Sequence, residues 1–302
     1  WNASRYILMN LEGRTYLPER ELSYNDTDRW ILHRLNEAAR TVSQALESWR
    51  FNDAAQAAYA YFWDDFCDWY IEASKLSTKF GDEREKDRAT TVLLKVLDES
   101  LRLLHPFLPF VTEEIYGMLP NAKGRLISAR YPEWTKEREA PDIQAHFEAL
   151  KEIVTLVRTL RSEFQISPEA SIPLSLAFDD GYVHAAFIQE HVALIRLLAG
   201  ASSVSIGQAG GAAASEGTVS LAGKGLTIHV QVGGLLDIGR LVERLSKERE
   251  KEAAYIAKLE SKLSNSAFLS SAPPDIIEKE KDKLAASKTK AAKLDLYIRE
   301  LS

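Results

Sequence analysis

Apolar residues recur at helical spacing through the first half of the chain. In "DRWILHRLNEAARTVSQALES", Trp30, Ile31, Leu35, Ala38, Val42 and Leu46 form one stripe, and Asn25, Asp26 and Thr27 are candidate N-caps ahead of it. A second helix is expected from near Asn52. There Phe51, Ala55, Ala58, Phe62, Phe66, Trp69 and Ala73 follow the helical period, and Tyr59, Trp63, Cys67 and Tyr70 make a second line beside them. So wide an apolar arc predicts a helix packed on several sides. Gly81 and "DEREKD" predict the next turn, and a third helix runs from about Asp87 into "LLHPFLPFVTEEIY". Pro106 and Pro109 each remove a backbone donor and disfavour helix in the residue before. The helix therefore ends there, and a short one restarts through Thr112. "IQAHFEALKEIVTLVRTLRSEF" predicts a fourth long helix, with Phe147, Leu150, Val154, Val157 and Leu160 on one face.

The period then changes. "IPLSLAF" (Ile172–Phe178) alternates as a strand, "GYVHAAFIQEHVALIRLLAG" reads as a helix closed by Gly200, and "SVSIG", "TVSLAG" and "LTIHVQV" read as short strands between small-residue loops. From about Leu236 the chain is charged and helical, broken by "NSAFLSSAPP". After the break Ile277, Leu284, Ala291 and Ile298 fall seven apart, as do Leu294 and Leu301. Before it, Ile238, Leu241, Leu245, Ile256, Leu259 and Leu263 make a looser seam. This predicts an antiparallel coiled-coil hairpin, each helix roughly 40 Å long at about 1.5 Å per residue. Glu252, Glu280 and Ser287 interrupt its seam. The expected fold is mainly α: a helical bundle over residues 1–165, a small α+β module over 166–236 and a coiled-coil arm over 237–302.

Composition narrows the class. No apolar run approaches the roughly 18–20 residues of a membrane span. No charged leader with an apolar core is present, and a lone cysteine, Cys67, excludes an intrachain disulfide and a Cys-rich zinc site, so the cytoplasm is the default compartment. From Gly239 onward there are 14 Lys and Arg against 11 Asp and Glu, a net of +3, so the rest carries −9 of a total of −6. Nucleic-acid contact in the acidic part must then come from local Arg and aromatic groups rather than a broad positive field.

Catalytic patterns are weak. "GQAGG" lacks the glycine spacing of a dinucleotide loop, and "GTVSLAGKG" has one residue too many between its glycines for a phosphate loop. His184 and His191 miss the i, i+4 ligand spacing, and Asp64, Asp65 and Asp68 are more simply the partners of Arg on adjacent helices than a catalytic pair. "SWRFNDAA" offers more: it sets Arg50, Phe51 and Asn52 at a helix start, where anions are favoured, with an Arg for a phosphate or base edge and a ring for stacking. The alternative is a capped, core-anchored turn.

"WNASRYILMNLEG", "DRWILHRL", "RFNDAAQAAYAYFWDDFCDWYIEASK" and "LHPFLPFVTEEIY" resemble the anticodon-binding domain of class I aminoacyl-tRNA synthetases of the Val/Ile/Leu group. "KLSNSAFLSSAPPDIIEKEKDKLA" is similar to the C-terminal arm of the bacterial-type valyl enzymes, and the resemblance covers nearly the whole chain. "FQISPEASI" departs from the family's usual residues at that loop, which weakens any contact assigned to it. The resemblance implies a C-terminal fragment whose catalytic and editing domains lie upstream, inactive alone. It needs no cofactor of its own, while the parent enzyme uses ATP and Mg. The implied partner is valine tRNA, bound by a monomer with no DNA or membrane partner. Phe51 is expected to stack on an anticodon base, Arg34 and Arg50 to hold phosphate or base edges, and Asn52, Glu113 and Glu114 to supply polar readout. On the arm, Lys247, Arg249, Lys251, Lys258, Lys262, Lys288, Lys290 and Lys293 suit the phosphates of the tRNA body. Two alternatives stand beside this: a helical scaffold whose coiled coil binds a protein, and the equivalent region of an isoleucyl or leucyl enzyme.

Overall fold

The computed structural model describes residues 1–11, 14, 16–120, 122–208 and 217–302, so most of the "GQAGG" loop lies outside the described residues. The chain divides into two compact units, Trp1–Lys151 and Glu152–Ser302. The border falls inside one helix.

The first unit is helical: α1 (Asn2–Leu11), α2 (Asp26–Glu47), α3 (Phe51–Ala60), a π-helical stretch (Tyr61–Tyr70), α4 (Ile71–Phe80), α5 (Glu83–Leu104), α6 (Pro109–Gly117) and the start of α7 (Pro141–Glu163). Helix α2 begins where its caps predict. The Asn25 side chain accepts from Asp28 N and the Asp28 side chain from Asn25 N, a reciprocal arrangement worth about 1 kcal/mol. The same device corrects an expectation. Asp82 and Glu85 form a second capping box, so "DEREKD" opens α5 rather than forming a turn before it. The proline break is as expected: α5 ends at Leu104 and Pro109 opens α6 as its first residue.

The expectation of a helix buried on several sides fails between α3 and α4. The buried line is Ala54, Ala58, Tyr61, Phe66, Tyr70 and Ala73, with a five-residue step from Tyr61 to Phe66 inside the π stretch. That step moves the inward register, and Tyr59 and Trp63 face outward, 59% and 52% exposed, stacked on each other with ring centroids 6.1 Å apart. Cys67 is half-buried, and burial pushes its thiol up to about 11, so it is a poor nucleophile. In the core, Trp30 stacks on Phe147 of α7 at 4.1 Å, a contact worth about 0.5–1.5 kcal/mol beyond its area. Asn36 exchanges two 2.8 Å hydrogen bonds with the Thr135 backbone, and His33 Nδ1 accepts from Ala140 N, which ties the segment before α7 to α2.

The second unit holds a four-stranded sheet in the order β2-β1-β4-β3: β1 (Ile172–Phe178), β2 (Ala201–Gln208), β3 (Thr218–Gly223) and β4 (Leu226–Gln231). β1 and β2 are parallel, and the other pairs are antiparallel. The "GTVSLAGKG" stretch is the β3–β4 hairpin, with Gly225 at φ 76°, and not a phosphate loop. The single helix expected before Gly200 is two, α8 (Ala185–Glu190) and α9 (Val192–Ala199), divided at His191. Gly200 closes α9 in the left-handed region at φ 65°. Arg161, 9% exposed, anchors this corner: its guanidinium donates to the carbonyls of Gly200, Ser167 and Ala170 at 2.7–3.0 Å.

The arm is the expected antiparallel hairpin, α10 (Ile238–Ser264) against α12 (Pro274–Leu301), joined through a short helix α11 (Ser266–Ser271). Its base is fixed in the unit. Tyr297 is 1% exposed, packs edge-on against Phe164 and donates to Glu163, and Glu300 accepts from Ser220 N of β3. The polar seam residues are paired across the hairpin. Lys262 and Lys283 converge on Glu280, while Ser287 and Lys290 meet Glu252. These contacts hold both glutamates below the ordinary carboxylate range, Glu252 chiefly through Ser287 and Glu280 chiefly through Lys283. A folded value below the unfolded one stabilises at neutral pH, and that support is lost as pH falls through the folded value. The arm should therefore keep its hydrogen-exchange protection around Glu280–Ser287 from pH 7 to about pH 5 and lose it as pH falls on toward about 2, after correction for intrinsic rates. Protection unchanged at about pH 2 would show that these pairs do not support the seam.

Candidate nucleic-acid interface

The turn between α2 and α3 presents an Arg between two exposed aromatic rings. Trp49 stands in the left-handed region at φ 59°, and Arg50 N returns to Ala45 O at 2.8 Å. This reversal turns both flanking rings outward. Trp49 is 80% and Phe51 55% exposed, and their rings meet edge to face at 6.0 Å. Between them Arg50 pairs with Asp53, at 3.1 Å across the surface, which leaves its guanidinium accessible. No side chain caps the start of α3, and Asn52 is exposed beside it. Three of the expected anticodon residues, Arg50, Phe51 and Asn52, are thus brought together at an uncapped helix start. Trp49 completes the surface and was missed. Its adjacency to Arg50 was visible, but nothing in the apolar pattern separates an outward Trp from a core one.

The other expected residues stand elsewhere. Arg34 lies thirteen residues before the end of α2, about 20 Å along the helix. Its Nε donates to Asp65 Oδ2 at 2.7 Å, and Lys151 approaches the same carboxylate at 3.7 Å. Asp65 is therefore an ion-pair partner, as the sequence favours, in a cleft of about 460 Å³ lined also by Thr41 and Tyr61. Glu113 accepts from the backbone N–H of Leu126 and Ile127 at 3.1 and 3.4 Å, which makes it a brace for that turn. Glu114 is exposed on α6, one turn after Phe110, itself 91% exposed, so a second apolar-acidic surface exists there.

On the arm, the expected basic residues divide by partner. Lys247 pairs with Glu243, Arg249 with Asp295, Lys262 with Glu280 and Lys288 with Glu260. Lys290 pairs with Glu248 and Glu252, and Lys293 with Glu163. Lys251 and Lys258 are exposed and have no acidic partner among the described residues. Among the described residues no group of carboxylates, histidines and cysteine is arranged to hold a metal, and no helix is long and apolar enough to cross a membrane.

The exposed rings and Arg50 of the α2–α3 turn, and the lysines of the coiled coil, are groups that can contact a nucleic acid. Residues 28–176 match the model of the anticodon-binding domain of tRNA ligase. Residues 237–302 match that of the valyl tRNA synthetase tRNA binding arm. A valine–tRNA ligase of Treponema denticola is 46% identical across 99% of this chain, one of Geobacter sulfurreducens 39% across 94%, and one of Thermotoga maritima 37% across 100%. The chain belongs to the valyl-tRNA synthetase family, and it spans about a third of the length of the curated relatives it matches. The resemblance read from the motifs therefore holds, as does the mainly α fold with its small α+β module.

Proposed function

We propose that this chain supplies tRNA recognition to a valine–tRNA ligase. Residues 1–165 bind the anticodon of valine tRNA, residues 237–302 contact the tRNA body, and residues 166–236 link them. ATP-dependent attachment of valine belongs to a catalytic domain outside these residues. The observation that carries the reading is the exposed Trp49–Arg50–Phe51 turn in a chain that also carries the arm. Anticodon bases are unpaired, so they can leave their stack, lie on an aromatic face and offer their edges to an Arg or an amide. Phe51 provides the face, Arg50 and Asn52 the polar contacts, and Glu114 an acceptor for an exocyclic amine. Arg34 and Glu113 act from behind: one braces the π stretch through Asp65, the other the turn after α6.

The test is binding of the full chain to valine tRNA and to the same tRNA with its anticodon replaced, each at two salt concentrations. Preference for the native anticodon at both is the expected result. Equal, salt-sensitive binding would leave only the arm in contact, and absence of binding would overturn the reading.

A further inference from the structure

The charges of the arm nearly cancel in total, yet they are sorted by face. From Arg240 a helical ladder of steps of four and three residues meets Arg240, Arg244, Lys247, Lys251, Tyr255, Lys258 and Lys262. No acidic residue stands on it. The same ladder begun two residues later, at Val242, reads Val, Ser, Arg, Ala, Ala, Glu, Ser. Two residues are about 200° of helix turn, so these ladders flank the buried seam of Leu241, Leu245 and Leu259 on opposite edges.

Helix α12 repeats the sorting. Lys279, Lys283 and Lys290 share one flank, and the cross-hairpin contacts place it beside the basic ladder of α10. Lys262 of the ladder and Lys283 meet on Glu280, and Lys290 reaches Glu248 and Glu252. The other edge is mixed and internally paired, Arg249 with Asp295 and Lys288 with Glu260. One edge of the hairpin is therefore a positive strip about 33 Å long at about 1.5 Å per residue. Its middle holds Lys251 and Lys258, which have no acidic partner among the described residues, around Tyr255, which is 42% exposed.

We propose that this edge alone is the RNA-contacting face of the arm, with Lys251 and Lys258 on backbone phosphates and the Tyr255 ring against a sugar or an unpaired base. The proposal rests on the tRNA reading above and deepens it. Phosphates favour cations that need break no existing ion pair, and an aromatic between them adds a contact insensitive to sequence. Lys288 and Arg249, whose charges are already matched on the opposite edge, then serve the hairpin and not the RNA.

Three variants of the full chain test this against valine tRNA over a salt series. Lys251→Ala/Lys258→Ala should weaken binding and lower the log–log salt slope by about 1.4–1.8, at roughly 0.7–0.9 per phosphate. Tyr255→Ala should weaken binding about five- to hundredfold with the slope unchanged. Lys281→Ala/Arg299→Ala, on the flank of α12 that carries Lys288 and Asp295, should change neither. Each replaces an exposed residue, and thermal melts should match the unaltered chain. Equal loss from both lysine-bearing variants, or no loss from the first while the unaltered chain binds, overturns the sidedness alone. Failure of the unaltered chain to bind overturns the tRNA reading, and this proposal with it.

Discussion

Arg88→Ala is expected to destabilise the helical unit by about 3–5 kcal/mol, the cost of leaving one member of a buried ion pair without its partner. Asp28 is 3% exposed at the start of α2. Its carboxylate accepts from Arg88 of α5 and, at 2.9 Å, from the Tyr70 hydroxyl at the end of the π stretch, and Arg88 also donates to Ser77 of α4 at 3.1 Å. One guanidinium thus ties α2, α4 and α5. Without it the Asp28 carboxyl stays buried with the Tyr70 hydroxyl and Asn25 N–H as its remaining donors, and desolvation raises its folded pKa above the unfolded value. The native state then binds a proton the unfolded chain does not, so the deficit should shrink as pH falls toward the unfolded carboxyl range. Hydrogen exchange across α2 and α5 would measure both effects. A loss under about 1 kcal/mol would mean that water replaces the guanidinium at Asp28.

The second large effect is on binding. Phe51→Ala with Arg50→Ala should cost about 1–3 kcal/mol of tRNA affinity from the stacking contact alone, and should narrow the preference for the native anticodon. Trp49→Ala should act in the same direction, because its ring forms the other wall of the exposed turn. Both rings are exposed, so none of these changes opens a cavity and the fold should survive. Unchanged affinity with an intact fold would remove the α2–α3 turn from the interface. Arg34→Ala separates the two kinds of role. If Arg34 serves Asp65 and not the RNA, the variant should lower thermal stability while keeping the salt slope of binding.

The sequence by itself determined most of the elements and their order. Asn25 and Gly200 end helices through local backbone chemistry, Pro106 and Pro109 break one, and the seven-residue spacing of Ile277, Leu284, Ala291 and Ile298 draws the arm. Each of these signals acts within a few residues, so it needs no knowledge of neighbours in space. The motifs that carry the family were legible for the same reason. The basic ladder of α10 was legible in principle too, since it is a period, but its meaning required the hairpin.

Tertiary structure alone decided which side of an apolar helix faces inward and which charges are already matched. The wide aromatic arc from Phe51 to Ala73 allows several inward registers, and the π stretch selects one, because Phe66 and Tyr70 must reach the core together. In the register adopted, Tyr59 and Trp63, which periodicity placed inside, face outward. Lys251 and Lys288 are equal as letters. They differ because antiparallel pairing sets Glu260 within reach of Lys288, whereas among the described residues Lys251 has no acidic partner. A local period fixes the face a residue shares along its own helix; the neutralisation of its charge depends on residues tens of positions away, which only packing brings within a few ångströms.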